Sequence, residues 1–411
     1  MKKSFPQRIF ALFVFIMVVY PGLRISGQEV ADTITDVDEI SNPDVELQLE
    51  DTEDTLTLRD RFNRVNTTME KVVKYSPLPI LSYSTETNWM FGLSKYNGFR
   101  MGTKGVNDES IQPSQVTALA YFTLNHQYKV GTEVDLMFSR NKYKSHTEIY
   151  FLDFPEFYYG VGNETRFENE RLIDLKNIFV FTGFEYNISK ALYVGFYYHY
   201  DHYFTVDYFD TLGIENLDPL TDNEGTQSGL GINFARETRD NRFNATKGSY
   251  LFIRYMNYGK WLGSKFDYNL FILDARKYIT PWRSLTIAMQ VYTEARIGNV
   301  PVQSLAMMGG DDRMRGIFIG RYRDHTIVDG QIEFRFPIAW IFGGTVFGGM
   351  GQVAPDYASY KLNGWHWTTG IGIRIMVDSA HKTNLRFDIG FSRDHQFIWR
   401  QLYFFTFSEA F

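Results

Sequence analysis

Apolar and polar residues alternate with a period of two along most of the chain after Pro77. The pattern is most regular in residues 285–296, 331–336 and 384–391, where aliphatic or aromatic side chains alternate with polar ones. A period of two places successive side chains on opposite faces of an extended strand. These segments are therefore predicted to be β-strands with one apolar and one polar face.

The alternation recurs in sixteen candidate strands, which centre on Leu81, Gly92, Ala120, Asp135, Ile149, Val180, Phe196, Ile232, Ile253, Leu270, Met289, Glu333, Val346, Ile371, Phe387 and Phe405. A large soluble β-protein would also alternate, because its apolar faces meet in a core. Here no helical pattern exists to cover the apolar faces, so lipid is the simplest cover. The predicted fold class is all-β, a transmembrane antiparallel β-barrel of about 16 strands over residues 77–411.

The connections between the predicted strands differ in length. With an even number of strands, both barrel ends face the periplasm, and the long connections 153–172, 203–224, 298–325 and 351–364 become extracellular. The periplasmic connection 100–113 departs from this rule, because turns on that side are usually short.

Composition narrows the class of protein to which the chain can belong. The chain has 411 residues, 36 Phe, 27 Tyr and a formal net charge of −6, and it has no cysteine. A mean hydropathy of −0.27 excludes a helical membrane protein, which would show long apolar spans. Abundant Phe and Tyr at this hydropathy are typical of barrels with aromatic girdles at both membrane interfaces. The missing cysteines fit an exported protein.

The first residues predict export. Lys2, Lys3 and Arg8 precede an apolar run over residues 9–20, which is too short to span a bilayer. This arrangement is typical of a secretory signal peptide, assigned to residues 1–27.

Two further segments precede the barrel. Residues 28–57 are acidic and poor in aromatic side chains, so we expect a disordered periplasmic tail. Residues 58–76 carry apolar side chains at steps of three and four among basic ones, which predicts a short amphipathic helix. The apolar face of this helix would either pack on the barrel rim or enter or cover the periplasmic mouth.

The stretch 307–324, within the long connection before the strand at Thr326, is glycine-rich and basic. A connection of this length usually indicates function or disorder, and the mixed sequence favours function. The working hypothesis is that Arg315 is held inside the barrel, where the alternation points Glu333 and Asp388 to the lumen. A buried guanidinium needs a bidentate acid to offset its desolvation. The alternative is a solvated loop.

Catalytic chemistry has little support in the sequence. His199 and His202 are three apart, so on a strand they face opposite sides and cannot share a metal ion. No nucleophile elbow is present. Neither catalytic residues, nor a metal, nor a cofactor is expected.

Four blocks, in order, carry a resemblance to a known family. Residues 309–317 resemble the GG…(V/L/M)RG(F/Y) motif of the sixth extracellular loop in the BamA/TamA outer-membrane assembly-factor superfamily. Residues 237–250 resemble its D-T-R-D-N turn, residues 333–337 its E-(Y/F)-R-F-P segment, and residues 157–163 its F-Y-G-x-G-N block. The likeness covers about residues 77–411 and implies that the sixth loop folds inward.

The resemblance also implies roles for individual residues. The inward loop would be held by a latch made of Arg315, Gly316, Gly309, Gly310, Glu333 and Asp388. The chain ends similarly to the C-terminal β-signal that the barrel-assembly machinery reads, at Tyr403, Phe405, Phe407 and Phe411.

Some positions depart from the family pattern. Gly349 stands where an acidic partner of the loop arginine is often found, so the latch is either simpler and weaker here or uses another acid, such as Asp388 or Glu294. Ala245 replaces a turn proline, and Ile317 replaces an aromatic residue. The stretch before Pro77 has no room for a POTRA domain, so we expect a barrel-only member.

The resemblance implies a barrel in the bacterial outer membrane that inserts or translocates protein or lipid by lateral opening between its first and last strands. A plugged pore or a passive barrel is the alternative, and a lipid-modifying enzyme is the least favoured class. The expected partners are outer-membrane lipid, the barrel-assembly machinery during biogenesis and a separate periplasmic partner. No nucleic-acid partner is expected.

Overall fold

The computed structural model describes residues 77–84, 88–99, 101, 114–139, 142–189, 191–209, 220, 222–241, 244–282, 284–339, 341–378, 383–393, 399–407 and 409–411. The predicted signal peptide, acidic tail and amphipathic helix fall within residues 1–76 and lie outside this part of the chain.

Nineteen strands form within these ranges. In chain order they are β1 (Leu78–Ser84), β2 (Asn88–Phe99), β3 (Ser114–Thr123), β4 (Tyr128–Phe138), β5 (Tyr143–Asp153), β6 (Glu156–Tyr158), β7 (Arg171–Ser189), β8 (Leu192–Tyr208), β9 (Gly225–Glu237), β10 (Gly248–Tyr258), β11 (Tyr268–Trp282), β12 (Leu285–Gly298), β13 (Ala306–Met308), β14 (Tyr322–Asp324), β15 (Thr326–Ala339), β16 (Phe342–Ala354), β17 (His366–Asp378), β18 (Thr383–Arg393) and β19 (Trp399–Phe407).

Helical structure is sparse. The described residues form 3₁₀ turns at Phe167–Asn169, Lys260–Leu262, Val302–Ser304 and Tyr357–Ser359. None of the helices found there has the length and hydropathy needed to cross a bilayer.

The strands confirm the predicted barrel architecture. Among the described residues, seventeen strands form one antiparallel sheet, and β13 and β14 form a separate hairpin. Each strand pairs with its successor, except that β5 pairs with β7 and β12 pairs with β15 across short intervening strands. Because β6 also pairs with β7, it prolongs β5, and the sheet contains the sixteen predicted crossings.

The two faces of the sheet differ as a membrane barrel requires. On β17, Trp367 and Ile371 are more than half exposed on the outer face, whereas Arg374 is buried. On β18, Phe387 is exposed, and Arg386 and Asp388 are buried on the inner face. Lipid covers the apolar face, and polar and charged side chains fill the interior.

Side chains and one connection form buried clusters on the side of β7 to β18. An aromatic cluster inside β7 to β11 contains Phe181, Tyr197, Met256, Tyr258, Phe266, Tyr268 and Leu270. A second cluster joins the connection between β12 and β15 to the barrel wall and contains Ala306, Met308, Met314, Ile317, Tyr322, Ile327 and Val353. The connection therefore folds inward, and we call its residues 299–325 the lumenal loop.

Candidate functional site

The lumenal loop is a compact structure. Its two ends pair as the hairpin of β13 and β14, and the amide of Gly310 donates to the carbonyl of Ile317 at 3.0 Å. Gly309 has a φ of +108°, and a Cβ there would run into the backbone of Phe318. Only glycine adopts this backbone at low cost, so the tight return of the loop depends on it.

Arg315 lies at the tip of the loop and is fully buried. Its Nη1 donates to Oδ2 of Asp388 at 2.6 Å, and its Nη2 donates to the carboxylate of Glu333. The guanidinium carbon also lies 3.6 Å from the ring centroid of Phe347. Two acids and an aromatic face together offset the desolvation of the guanidinium.

The structure thus places Arg315 against two acids on β15 and β18. The other acid considered from the sequence, Glu294, lies elsewhere: it accepts from Arg296 at 2.5 Å and from Tyr292 at 2.7 Å. The second carboxylate at Arg315 belongs to Asp388.

Gly349 explains why the second acid comes from β18. A Cβ at Gly349 would lie 3.2 Å from Sδ of Met314, a loop residue that is itself buried. Glycine at this position lets Met314 pack close to β16, and β16 supplies no acid there. Asp388 reaches Arg315 from farther round the barrel.

More arginines and acids extend these contacts. Arg335 donates through Nε to Glu333 at 2.6 Å, and Arg374 donates through Nη1 to Asp388 at 2.6 Å and through Nε to Glu409 at 2.7 Å. We call the following residues the ion cluster: Arg315, Glu333, Arg335, Arg374, Arg386, Asp388 and Glu409. Every side chain in it is at most 8% exposed, and each of its four arginines lies near at least one of its three acids. Arg386 also pairs with Asp311 of the lumenal loop at 3.3 Å, which adds a fourth negative charge.

Sequence reasoning did not assign Arg374 or Glu409 to the site. Arg374 is signalled by the alternation, because it shares the inner face of β17 with Gly372 and Thr368. Glu409 follows the last strand, where no periodic pattern reports its direction.

The backbone of β18 forms a seat for the loop tip. Oγ of Ser392 donates to the carbonyl of Gly316 at 2.6 Å. A Cβ at Gly390 would lie 2.6 Å from the carbonyl carbon of Arg315, and a Cβ at Gly316 would lie 2.8 Å from the backbone of Phe391. Loop and strand approach so closely that neither glycine position has room for a side chain.

A second set of contacts holds the extracellular side of the loop. Nδ2 of Asn163 donates to the carbonyl of Gly364 at 2.8 Å, and its Oδ1 accepts from the amide of Val353 at 3.1 Å. Arg321 in the lumenal loop donates through Nη1 to Oγ1 of Thr165 at 2.6 Å. Residues 157–165 therefore bridge the lumenal loop and the connection between β16 and β17.

The C-terminal aromatic residues divide between two places. Tyr403 and Phe405 pair with Ile389 and Phe387 on β18 and share their outer face. Phe407 continues this register, and its side chain lies outside the described set. Phe411 is separate, because it is buried in a cluster with Ala245, Tyr278, Ala288 and Ala410.

The two histidines weighed as catalytic candidates have separate partners. Nδ1 of His199 lies 2.8 Å from the hydroxyl of Tyr258, and Nδ1 of His202 lies 2.8 Å from Oγ1 of Thr226. Within the described ranges, no group of three or more His, Cys, Asp or Glu side chains is arranged to hold a metal ion.

Comparison with known proteins places this architecture in a family. The model of the Omp85 superfamily domain matches residues 120–406. No curated protein matches the sequence.

Two solved barrels resemble the structure. One is BamA from Haemophilus ducreyi lacking POTRA domains 1–3, with a TM-score of 0.54, 12% identity, and coverage of 84% of this chain and 77% of that one. Another is CdiB from Acinetobacter baumannii, with a TM-score of 0.48, 11% identity, and coverage of 79% and 58%. At this identity the likeness to BamA concerns the fold alone. Because the family match spans most of the sheet and includes the inward loop, the chain belongs to the Omp85 superfamily and is a β-barrel of the bacterial outer membrane.

Proposed function

We propose that the chain is an assembly or translocation barrel that passes protein or lipid sideways through the seam between β1 and β19. The observation that carries the proposal is the pairing at this seam. In the described part of the chain, β1 meets β19 at one residue pair, Ser84 with Phe404. By contrast, β1 pairs with β2 over seven residue pairs, and β18 pairs with β19 over nine.

The pairing difference has an energetic consequence. Separating two strands in lipid exposes backbone N–H and C=O groups that have no water to bind, which costs several kcal/mol for each unsatisfied group. A seam joined at one pair loses far less on opening than its neighbours do. A free strand edge is also a template on which another strand can pair. The seam is therefore the favoured exit into the membrane.

The packed interior argues against a plain pore. The aromatic cluster and the lumenal loop occupy the side of β7 to β18, and Arg315 is fully buried where the loop meets the wall. We expect low conductance in planar bilayers for the wild-type protein. A large, stable conductance would favour the alternative, a pore or passive transport barrel.

A disulfide across the seam tests lateral opening directly. The natural chain has no cysteine, so Ser84→Cys with Phe404→Cys introduces a single possible disulfide. We expect oxidation to abolish function and reductant to restore it. The matched control is Ile389→Cys with Tyr403→Cys, which links the same last strand to β18, its partner over nine pairs. Full function in the oxidised seam variant would overturn lateral opening.

Depletion of the protein supplies the functional readout. Loss of other outer-membrane barrels on depletion would identify protein assembly as the task. Loss of one exported protein would identify a dedicated substrate, and altered outer-leaflet lipid would identify lipid transfer. The same proposal includes a separate periplasmic partner that delivers the substrate, and insertion of this chain by the barrel-assembly machinery during biogenesis.

A further inference from the structure

The last residues of the chain fold into the barrel after β19 ends. Glu409, Ala410 and Phe411 are each less than a tenth exposed. We call Glu409–Phe411 the tail. Since β19 is one side of the proposed exit seam, whatever holds the tail also restrains that strand.

Glu409 occupies a site with donors from two strands. Its Oε2 accepts from Nε of Arg374 on β17 at 2.7 Å, and its Oε1 accepts from Nδ2 of Asn384 on β18 at 2.7 Å. Nε of Arg335 lies 3.8 Å from Oε2. Charge-assisted hydrogen bonds of this kind, shielded from water, are among the stronger polar contacts in proteins.

Phe411 anchors the tail a second time. Its backbone oxygen accepts from Nη2 of Arg335 at 2.9 Å. Its ring lies 6.4 Å from the ring of Tyr278, in the buried cluster that also contains Ala245 from the turn between β9 and β10. The tail is therefore bound through a carboxylate, a backbone oxygen and an aromatic ring.

The arginines that bind the tail also bind the two strand acids that hold the loop. Arg335 donates to Glu333, and Arg374 donates to Asp388. These two acids are the partners of Arg315. If the tail left, Arg335 and Arg374 would keep their charges in a buried place with fewer acids around them, which is costly.

We propose that Arg335, Arg374 and Asn384 form a carboxylate site whose ligand is the chain's own Glu409, and that this site couples the last strand to the lumenal loop. Release of the tail accompanies movement of β19 at the seam, and this part rests on the proposed lateral opening. Loosening the loop latch at Arg315 releases the tail, and binding of the tail strengthens the latch, because coupling between two sites is reciprocal.

The test measures how often the tail leaves its site. Ala410→Cys supplies the only cysteine of the chain, buried in the tail, and a bulky membrane-impermeant maleimide reports its exposure. Glu409→Gln and Arg374→Gln, each in this background, should speed labelling at least about tenfold, the factor expected for loss of a hydrogen bond to a charged group. Asn384→Ala removes one hydrogen bond but leaves Glu409 paired with Arg374, so it should have a smaller effect in the same direction.

Coupling has its own readout. Arg315 does not contact the tail directly in the ion cluster, yet Arg315→Gln should also speed labelling at Ala410→Cys through Glu333 and Asp388. Lys361→Gln removes a charge from an exposed pair with Glu164 and should leave the rate unchanged. Leu362→Cys, on a 99% exposed residue, should label quickly in every background.

Two results would overturn the inference. An unchanged rate for both Glu409→Gln and Arg374→Gln would exclude the carboxylate site, and an unchanged rate for Arg315→Gln would exclude coupling to the loop. Folding of each variant is checked by its heat-modifiable migration in gels. The labelling test requires no assembly activity, so its outcome is independent of the disulfide test. Either the tail site or lateral opening can be refuted while the other is supported.

Discussion

At the scale of residues, the chemistry of a buried guanidinium organises the site. A guanidinium is a permanent cation in proteins, so burying one requires acids. The two acids that meet Arg315 come from β15 and β18. Gly372 makes the reach of Asp388 possible: a side chain there would occupy the place of the contact between Asp388 and Arg374. Glycine residues are thus as necessary to the latch as the charged residues.

Arg315→Ala tests the latch. The substitution leaves Glu333 and Asp388 buried with fewer cationic partners, which for a buried ion pair costs about 3–5 kcal/mol. We expect an inserted barrel whose lumenal loop becomes sensitive to protease and whose heat-modifiable form melts at lower temperature. Lys361→Ala, at an exposed pair, is the control and should change neither. An unchanged protease pattern for Arg315→Ala would refute the latch.

Gly390→Ala tests the seat on β18. The added methyl group would lie 2.6 Å from the carbonyl carbon of Arg315, so loop or strand must shift. Overpacking of this kind destabilises by about 1–3 kcal/mol. Gly348→Ala on β16 is the matched control, because a Cβ there meets its nearest atom, a carbonyl oxygen of Thr368, at 3.4 Å. Equal melting temperatures for the two variants would contradict the close packing of the loop tip against β18.

At the scale of elements, the lumenal loop is held at its tip and at its extracellular side. The ion cluster holds the tip against β15 and β18, and residues 157–165 hold the extracellular side. Asn163 lies in the segment that holds the extracellular side. Its side chain bonds to β16 and to the connection that follows β16. Its backbone oxygen accepts from Nε2 of His366 at 3.0 Å. Loops tied to one another in this way open together rather than singly.

Asn163→Ala should loosen the extracellular cover. Loss of two partly buried side-chain hydrogen bonds costs about 1–3 kcal/mol in total. The expected result is faster proteolysis in the connection between β16 and β17, with the melting of the strands little changed. Leu362→Ser in the same connection loses no packing, since that side chain is 99% exposed, and should behave as wild type. Identical proteolysis of Asn163→Ala and wild type would contradict the bridging role.

At the scale of the whole molecule, the sheet separates two solvents. Lipid faces an apolar surface that includes Ile371 and Ile373 on β17, whereas the ion cluster lies on the inner side of the same strands. Charges are stable inside because each has a nearby partner, and the same charges on the outer face would have none.

Ile371→Arg tests which face of β17 meets lipid. Ile371 lies near the middle of the strand and is 55% exposed, so an arginine there should cost about 2–4 kcal/mol in a bilayer. Denaturant unfolding in phospholipid vesicles gives the value. Trp261→Arg in the connection between β10 and β11 should cost about 1 kcal/mol or less, as expected near an interface. Equal costs for both variants would mean that β17 is misassigned to the membrane.

Local periodicity was enough to predict the barrel. Strand alternation follows from covalent geometry, and the absence of a covering layer follows from composition, so both are visible in the linear chain. The same alternation assigned Glu333 and Asp388 to the inner face. The helix predicted over residues 58–76 lies outside the described structure and stays a prediction.

Other features depend on distances across the lumen. Asp388 and Arg315 are 73 positions apart, and the choice of Asp388 over Glu294 depends on how far each strand lies round the barrel from the loop tip. The tail shows the same limit. Glu409 follows the last alternating segment, so nothing local indicates that it turns inward to Arg374. The sequence by itself determined the strands, their faces and the need of Arg315 for acids, because these are properties of neighbours in the chain. Only the tertiary structure decided which acids pair with Arg315 and that the tail shares their arginines, because the curved sheet brings together residues that no periodicity relates.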